Sequence, residues 1–354
     1  TLDRSSAASD VYKRQVLPMN TALTDPAPSI STRTSLPGPE VRGPLRVSFL
    51  GPFGTFSEQA TREITPRGAT LLPAAGVESA LHLVRTGEAD RAVVPIENSV
   101  EGGVNATLDA LAHGQPLTIV GEVLVPIAFA LMVRADSGLE LGQIKRIGTH
   151  PHAWAQTRCW VEQHIGEVTH IPTTSTAAAA KLLMEDDSCG YDAALCSAVS
   201  ASAYGGKTLA EGIADDDSAQ TRFVLVSPPG AIPPPTGADK TTVQVTLPDN
   251  ESGALLTMLE QFSARGVNLS RIESRPVGGH FDRYAFSIDI EGHIFEERVK
   301  DALMGLHRTC PDVRFLGSYP RADRMRAQIV RGTANMDFAT AQAWMEQVVS
   351  GRAV

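Results

Sequence analysis

Residues Ala214–Val226 read ADDDSAQTRFVLV. Three acidic residues and a serine lead into Thr221-Arg222-Phe223 and the apolar run Phe223–Val226. A short β-type apolar run after a turn-forming cluster reads as a buried strand. It sets a hydroxyl and a guanidinium at the edge of a packed sheet, where α/β folds keep their sites. Taken alone, the same residues also fit a plain loop before a core strand, with Arg222 in solvent. The rest of the chain separates the two readings.

The chain has 354 residues, enough for two or three domains with ample core. Its net charge of −9 argues against general nucleic-acid binding, so an anionic substrate needs a local positive site. No apolar run reaches the ~20 residues of a membrane helix. No charged-then-apolar leader opens the chain, and the expected location is cytoplasmic. Cys159, Cys189, Cys196 and Cys310 have neither CxxC pairing nor metal-type spacing with histidine, which predicts buried free thiols in a reducing compartment and no metal. Residues 1–44, rich in Ser, Thr, Pro and Asp, are expected to be disordered. Residues 1–18 resemble translated cloning sequence, with Met19 a candidate start, so fold reasoning begins at Leu45.

Leu45–Leu50 alternates as a strand and ends in Gly51-Pro52-Phe53-Gly54-Thr55-Phe56-Ser57-Glu58, which opens a helix. Thr55 and Glu58 fit a capping box, and a glycine turn at a helix start makes an anion site from free N–H groups. No Lys follows the second Gly, so it is not a P-loop. Arg91–Val94 reads as a strand running into Pro95-Ile96-Glu97-Asn98-Ser99-Val100-Glu101-Gly102-Gly103, a polar loop at the end of a strand where open α/β sheets bind ligands. Gly148-Thr149-His150-Pro151-His152 repeats the strand, turn and helix-start pattern, the helix running to about His164. Two roles stand for His150 and His152: proton carriers, or groups that cap that helix or bond to backbone. Thr173–Thr176 precedes the alanine-rich helix Ala177–Met184, which Ser or Thr can cap.

The repeated β-turn-α pattern predicts parallel sheets with helices on both faces. Two similar blocks, 45–124 and 125–203, with a return at 204–228, predict a bilobal, periplasmic-binding-protein-like α/β domain with a cleft between its lobes. Five prolines in Ser227–Asp239 mark a stiff linker over 229–239. Over 240–320 the order is βαββαβ, the ferredoxin-like arrangement, with a Gly-Gly turn at Pro276–His280. Residues 321–354 form a basic tail with a helix over Phe338–Val349.

From Val47 to Tyr319 the motifs resemble the prephenate dehydratase family, of the monofunctional type with a C-terminal ACT regulatory domain. They are Gly51–Glu58, Pro95–Ser99, Ser175-Thr176-Ala177 and Thr221-Arg222-Phe223, followed by Gly253-Ala254-Leu255-Leu256 and Ile272-Glu273-Ser274-Arg275-Pro276. The resemblance implies conversion of prephenate to phenylpyruvate, CO2 and water without a cofactor, and allosteric control by L-phenylalanine. It also implies a homodimer or homotetramer assembled through the ACT and catalytic domains. Thr221 is then the catalytic residue assisting the leaving hydroxyl. Thr55, Phe56, Ser57, Asn98, Ser99, Ser175, Thr176 and Arg222 bind substrate, with Arg222 a charge-assisted donor. Phe223 is structural, and Glu97 is read as structural, the other role open to it being to orient Asn98. Gly253, Ala254, Leu255, Leu256, Asn268, Leu269, Glu273, Ser274 and Arg275 form the phenylalanine pocket. Family members often carry Asn where this chain has Ser218, which raises the question of what positions Thr221. Two other readings are an arogenate dehydratase and a non-catalytic amino-acid sensor.

Overall fold

Two apolar runs, Ala92–Val94 and Phe223–Val226, lie side by side in the middle of one sheet, each residue almost fully buried. The computed structural model describes residues 39, 41, 43–100, 102–248, 251–276 and 284–351, all within the unit Leu36–Val354. The disorder expected over 1–38 and the Gly-Gly turn at 277–280 lie outside the described residues.

The chain runs β1 (Arg46–Leu50), α1 (Phe56–Ile64), β2 (Thr70–Ala74), α2 (Val77–Arg85), β3 (Arg91–Asn98), β4 (Gly102–Gly103), α3 (Asn105–Ala112) and β5 (Thr118–Pro126). Then come β6 (Phe129–Val133), β7 (Arg146–Thr149), α4 (Pro151–Ala155), α5 (Arg158–His164), β8 (Thr169–Pro172), α6 (Thr176–Glu185), β9 (Ala193–Ser197), α7 (Ala198–Tyr204) and β10 (Lys207–Glu211). The remainder is β11 (Gln220–Ser227), β12 (Asp239–Thr246), α8 (Ala254–Ser263), β13 (Leu269–Pro276), β14 (Tyr284–Glu291), α9 (Glu297–Thr309), β15 (Asp312–Pro320) and α10 (Asn335–Val349).

The fold is mixed α/β, with three sheets among the described residues. The first has the order β2-β1-β3-β11-β5, with β4 on β3; the second is β10-β6-β9-β7-β8; the third is β13-β14-β12-β15. The first two are mixed, which corrects the expectation of parallel sheets: β11 runs antiparallel to both neighbours, and β6 antiparallel to β9 and β10. β11 is the returning strand, inserted between β3 and β5 after the second sheet is complete. Two edge strands, β2 and β10, escaped the sequence reading because they are short, half-exposed and polar or proline-containing. The helix expected to run to His164 is two helices. Thr157 breaks it, its hydroxyl donating to the Ala153 carbonyl at 2.8 Å.

The third sheet has two unlike faces. Val243, Val245, Phe286, Ile288 and Ile290 pack under α8 and α9 with Met258, Phe262, Val299 and Leu306. The alternate residues, Thr242, Ser287 and Asp289, are polar yet buried. They face the first sheet rather than water. β15 lies so close to β5 that a Cβ on Gly317 (φ 148°) would collide with the Ile119 carbonyl, so only glycine fits.

Of the cysteines only Cys196 is buried, and burial pushes its thiol up to about 12. Cys159 is exposed on α5, which corrects the expectation of buried thiols; all four are free. No helix among the described residues is long and apolar enough to cross a membrane.

Candidate active site

Thr221, Phe223 and Asn98 from the first sheet face α1, α4 and α6 across a cavity of about 350 Å³. Thr55, Phe56 and Ser57 line it from the start of α1, and Ser175 and Thr176 from the start of α6. Thr55 caps α1 by accepting the Glu58 N–H at 3.2 Å. Glu58 reaches back past the cap and accepts the Gly54 N–H at 2.5 Å, so the reciprocal capping box is displaced by one residue. Ser175 caps α6 by accepting from Ala178 at 2.9 Å. Two helix N-termini, with their partial positive charge, thus converge on one cleft. The turn before α1 is tied to β9 and α7: Ser197 donates to the Gly54 carbonyl at 3.0 Å and Tyr204 to the Phe53 carbonyl at 2.9 Å.

Thr221 is 7% exposed. Its Oγ1 accepts a hydrogen bond from Asn98 Nδ2 at 2.9 Å, while Asn98 Oδ1 accepts the Val100 N–H at 2.8 Å. The Val100 contact fixes which way the amide points. A lone pair on Thr221 is thereby engaged, and its own O–H is left to donate into the cleft. Ser218 plays no part in this. Its N–H and hydroxyl both bond Asp216 in an exposed turn, at 2.8 and 2.6 Å. Asp215 caps α5, accepting from Cys159 and Trp160. The acidic run is therefore turn and cap.

Two expected substrate contacts lie elsewhere. Ser99 is exposed and its Oγ accepts the Gln220 N–H at 2.9 Å, closing the turn outside the cleft. Arg222 points away from the cleft. Strand alternation sends Thr221 and Phe223 to one face and Arg222 to the other. There it is 5% exposed and meets three carboxylates, Asp289 Oδ2 at 2.5 Å, Glu122 Oε2 at 3.2 Å and Glu97 Oε2 at 3.3 Å. Glu97 thus pairs with Arg222, and Phe223 both packs in the core and lines the cleft. With Arg222 turned away, His150 and His152 are the only ionisable side chains lining the cleft among the described residues. His150 caps α4, its Nδ1 accepting the His152 N–H at 3.3 Å, so the cap role holds and both rings still face the cavity. Gln156, not singled out from the sequence, also lines the cleft, and its Oε1 is buried with no hydrogen-bond partner. Its place one turn beyond His152 is the only signal that could have found it.

The residues expected to form one phenylalanine pocket are split. Gly253 (φ 91°) caps α8, and Leu255 and Leu256 beside it are 43% and 61% exposed. Glu273 and Arg275 turn toward the first sheet: Glu273 accepts from Arg271 at 3.1 Å, and Arg275 pairs with Asp109 of α3 at 2.7 Å. Ser274 is exposed on the other side of the strand, Leu269 packs in the third core, and the Asn268 carbonyl accepts the Glu291 N–H. Alternation along β13 and the position of α8 on the opposite face keep these groups apart within one chain.

Asp289 is fully buried between Arg222 and Arg271. Burial alone pushes its carboxyl up, but the two guanidiniums and Lys240 outweigh burial and hold it well below the usual range. A depressed folded pKa means a contribution present above the unfolded pKa of ~4 and lost as pH falls below it. Denaturant midpoints should therefore hold steady from neutral pH to about 5 and fall below ~4. The fall should be shallower in Asp289→Asn; equal slopes in both proteins would remove Asp289 as its source.

The family model for prephenate dehydratase matches residues 47–231. A prephenate dehydratase of Amycolatopsis methanolica is 44% identical over 307 residues, 86% of this chain and 98% of that protein. The crystal structure of a prephenate dehydratase in complex with L-Phe from Arthrobacter aurescens aligns with a TM-score of 0.82 and 53% identity, covering 86% of this chain and 100% of that one. A structure described as a novel type of quorum quenching acylase aligns at 0.69 with 32% identity, over 78% of this chain and 97% of that one.

Proposed function

The chain belongs to the prephenate dehydratase family, and from that membership we propose how its cleft carries the family reaction. Prephenate becomes phenylpyruvate with loss of CO2 and water. Aromatisation drives the step, so the protein must hold a dianion and help a hydroxide depart, which leaves far more easily as water. The observation that carries the reading is the Thr221 hydroxyl, its acceptor side engaged by Asn98 and its O–H free for the leaving oxygen. The N-termini of α1 and α6 hold the carboxylates, with Gln156 Oε1 left to accept from a substrate hydroxyl.

No lysine or arginine among the described residues lines the cleft. This suits the chemistry. Full neutralisation of the departing carboxylate would stabilise the substrate more than the transition state. Thr221 is paired to an amide rather than to a base, which suits a hydrogen-bond donor and not an acyl-transfer nucleophile.

Residues 45–228 are then the bilobal catalytic domain, 229–239 a linker, and 240–320 an ACT domain that binds L-phenylalanine. The split effector motifs support a site completed by a second copy: Leu255, Leu256 and Ile272 are large apolar groups left exposed around α8 and the edge strand β13. On this reading the protein is a homodimer or homotetramer in the cytoplasm. The deciding experiment is prephenate turnover without added cofactor, with and without phenylalanine. Phenylpyruvate should form, and phenylalanine should change the rate. Absence of phenylpyruvate under both conditions defeats the reading of the cleft, whereas a rate indifferent to phenylalanine defeats only the effector site.

A further inference from the structure

We infer that Asp289, in the third sheet, is a positioning residue for Thr221, acting through Arg222. This rests on the reading of Thr221 as the group that assists the leaving hydroxyl.

The backbone next to Thr221 is weakly held on its β3 side. On the β3 side, Arg222 pairs with Glu97 but Phe223 pairs with Pro95, so Ile96 is an extra residue and the register shifts there. Pro95 has no N–H to give. The Ile96 carbonyl is taken by the Val104 N–H at 2.9 Å, and the Pro95 carbonyl by the Thr107 hydroxyl at 2.5 Å. The β3–β11 ladder is therefore interrupted just beyond Arg222, one residue from Thr221, whereas on the β5 side Gln220 to Leu225 pair in unbroken register. Asn98 is one tether, but Asn98 itself ends β3 on the far side of the bulge.

The second tether is the Arg222 side chain, one residue along the same strand. Asp289 Oδ2 lies 2.5 Å from Arg222 Nη2 and 2.9 Å from Arg271 Nε. Its other oxygen accepts from the Thr242 hydroxyl at 2.7 Å, and Thr242 in turn meets Tyr319 at 2.7 Å. Arg271 also reaches Ser287 and Glu273. Asp289, Thr242 and Tyr319 show no exposure. Strands β12, β13, β14 and β15 all take part in this dry lattice. Arg222 is the member supplied by β11. Glu122 anchors the same guanidinium from β5, and is itself held by Lys240 and the Ala322 N–H. A planar guanidinium gripped at two ends has little freedom, and the α-carbon it fixes adjoins Thr221. The third sheet thus acts as a template for the catalytic strand. Any rearrangement of β13 or β14 would reach Thr221 through Asp289.

The test is steady-state kinetics on Asp289→Asn, normalised to folded protein, in the wild-type background and in Thr221→Ala. Loss of register should lower kcat by about 10- to 100-fold, since a ~1 Å misplacement costs up to ~10²-fold, with KM little changed. In the Thr221→Ala background the same substitution should cost less than ~2-fold, because the group it positions is already gone. Equal losses in the two backgrounds would mean a general structural role and overturn the proposal, as would wild-type kcat in Asp289→Asn. Should Asp289→Asn not fold, Thr242→Val removes only the hydroxyl that orients the carboxylate, and the same comparison of backgrounds is read from it. Full activity in Thr221→Ala alone defeats the prior reading of Thr221, a result distinct from failure of the positioning role.

Discussion

Replacing Thr221 with alanine should lower kcat by ~10²–10³-fold, the cost of removing one preorganised donor at a point of developing charge. KM should change little. The hydroxyl gains most of its partner only as the C–O bond breaks and negative charge collects on the leaving oxygen, so the interaction is stronger in the transition state than in the ground state. The geometry argues for donation rather than proton abstraction. Asn98 Nδ2 donates to the Thr221 oxygen, and Asn98 Oδ1 is engaged by the Val100 N–H, so the amide has no second orientation with equal bonding. Thr221→Ser should retain much of the activity, because it keeps the O–H and loses only the β-branch that restricts χ1. The pair of variants separates chemistry from packing. A serine variant as slow as alanine would mean that the methyl group, not the hydroxyl, is what matters. An alanine variant within ~3-fold of wild type would remove Thr221 from the mechanism, since a positioned proton donor contributes at least ~10²-fold.

The place of Thr221 at the head of a buried strand was legible because a turn cluster runs straight into an apolar run; its role comes only from the family resemblance. The capped starts of α1 and α6 were legible for a similar reason: Thr55 and Ser175 each stand at the head of a helical pattern. Arg222 does not share the cleft with its neighbour, although their adjacency in one motif suggests that it does. Consecutive strand residues point to opposite faces, so a cleft-facing Thr221 implies an Arg222 that does not reach the cleft. What lies on that other face was not legible. Ser287 and Asp289 alternate with Phe286 and Ile288 as a solvent-facing set would. Nothing local says that another sheet covers them. The division of the effector residues has the same origin: Arg275 meets Asp109 of α3 across more than a hundred residues of sequence, and Glu273 lies against Gly103. Ser218 raised a question that the structure answers by proximity, because Asn98 holds the hydroxyl and Ser218 closes a turn with Asp216.

Arg222→Met should be the most destabilising single change at the junction of the sheets. The side chain is 6% exposed, and it faces Asp289 at 0% and Glu122 at 2%. Methionine matches much of the aliphatic volume, so the loss is one of charge rather than of packing. Two carboxylates then remain in a dry interface with fewer cations. Glu122 keeps Lys240, and Asp289 keeps Arg271. Removing one partner of a buried pair costs ~3–5 kcal/mol, because it strands the other charge. Chemical denaturation should register a loss of that order, with a fall in Tm of about 10 °C at the ~2–4 °C per kcal/mol of a large domain. The sign of the second substitution is the sharper test. If the penalty comes from stranded charge, adding Asp289→Leu to Arg222→Met should cost less than the sum of the two single losses, because it removes the very group left uncompensated. Additive losses would mean that the lattice acts as independent contacts, and the electrostatic account of the interface would fail. Catalysis should not recover in the double variant even where stability does: an apolar pair fills the space but restores no directional grip on the strand that carries Thr221.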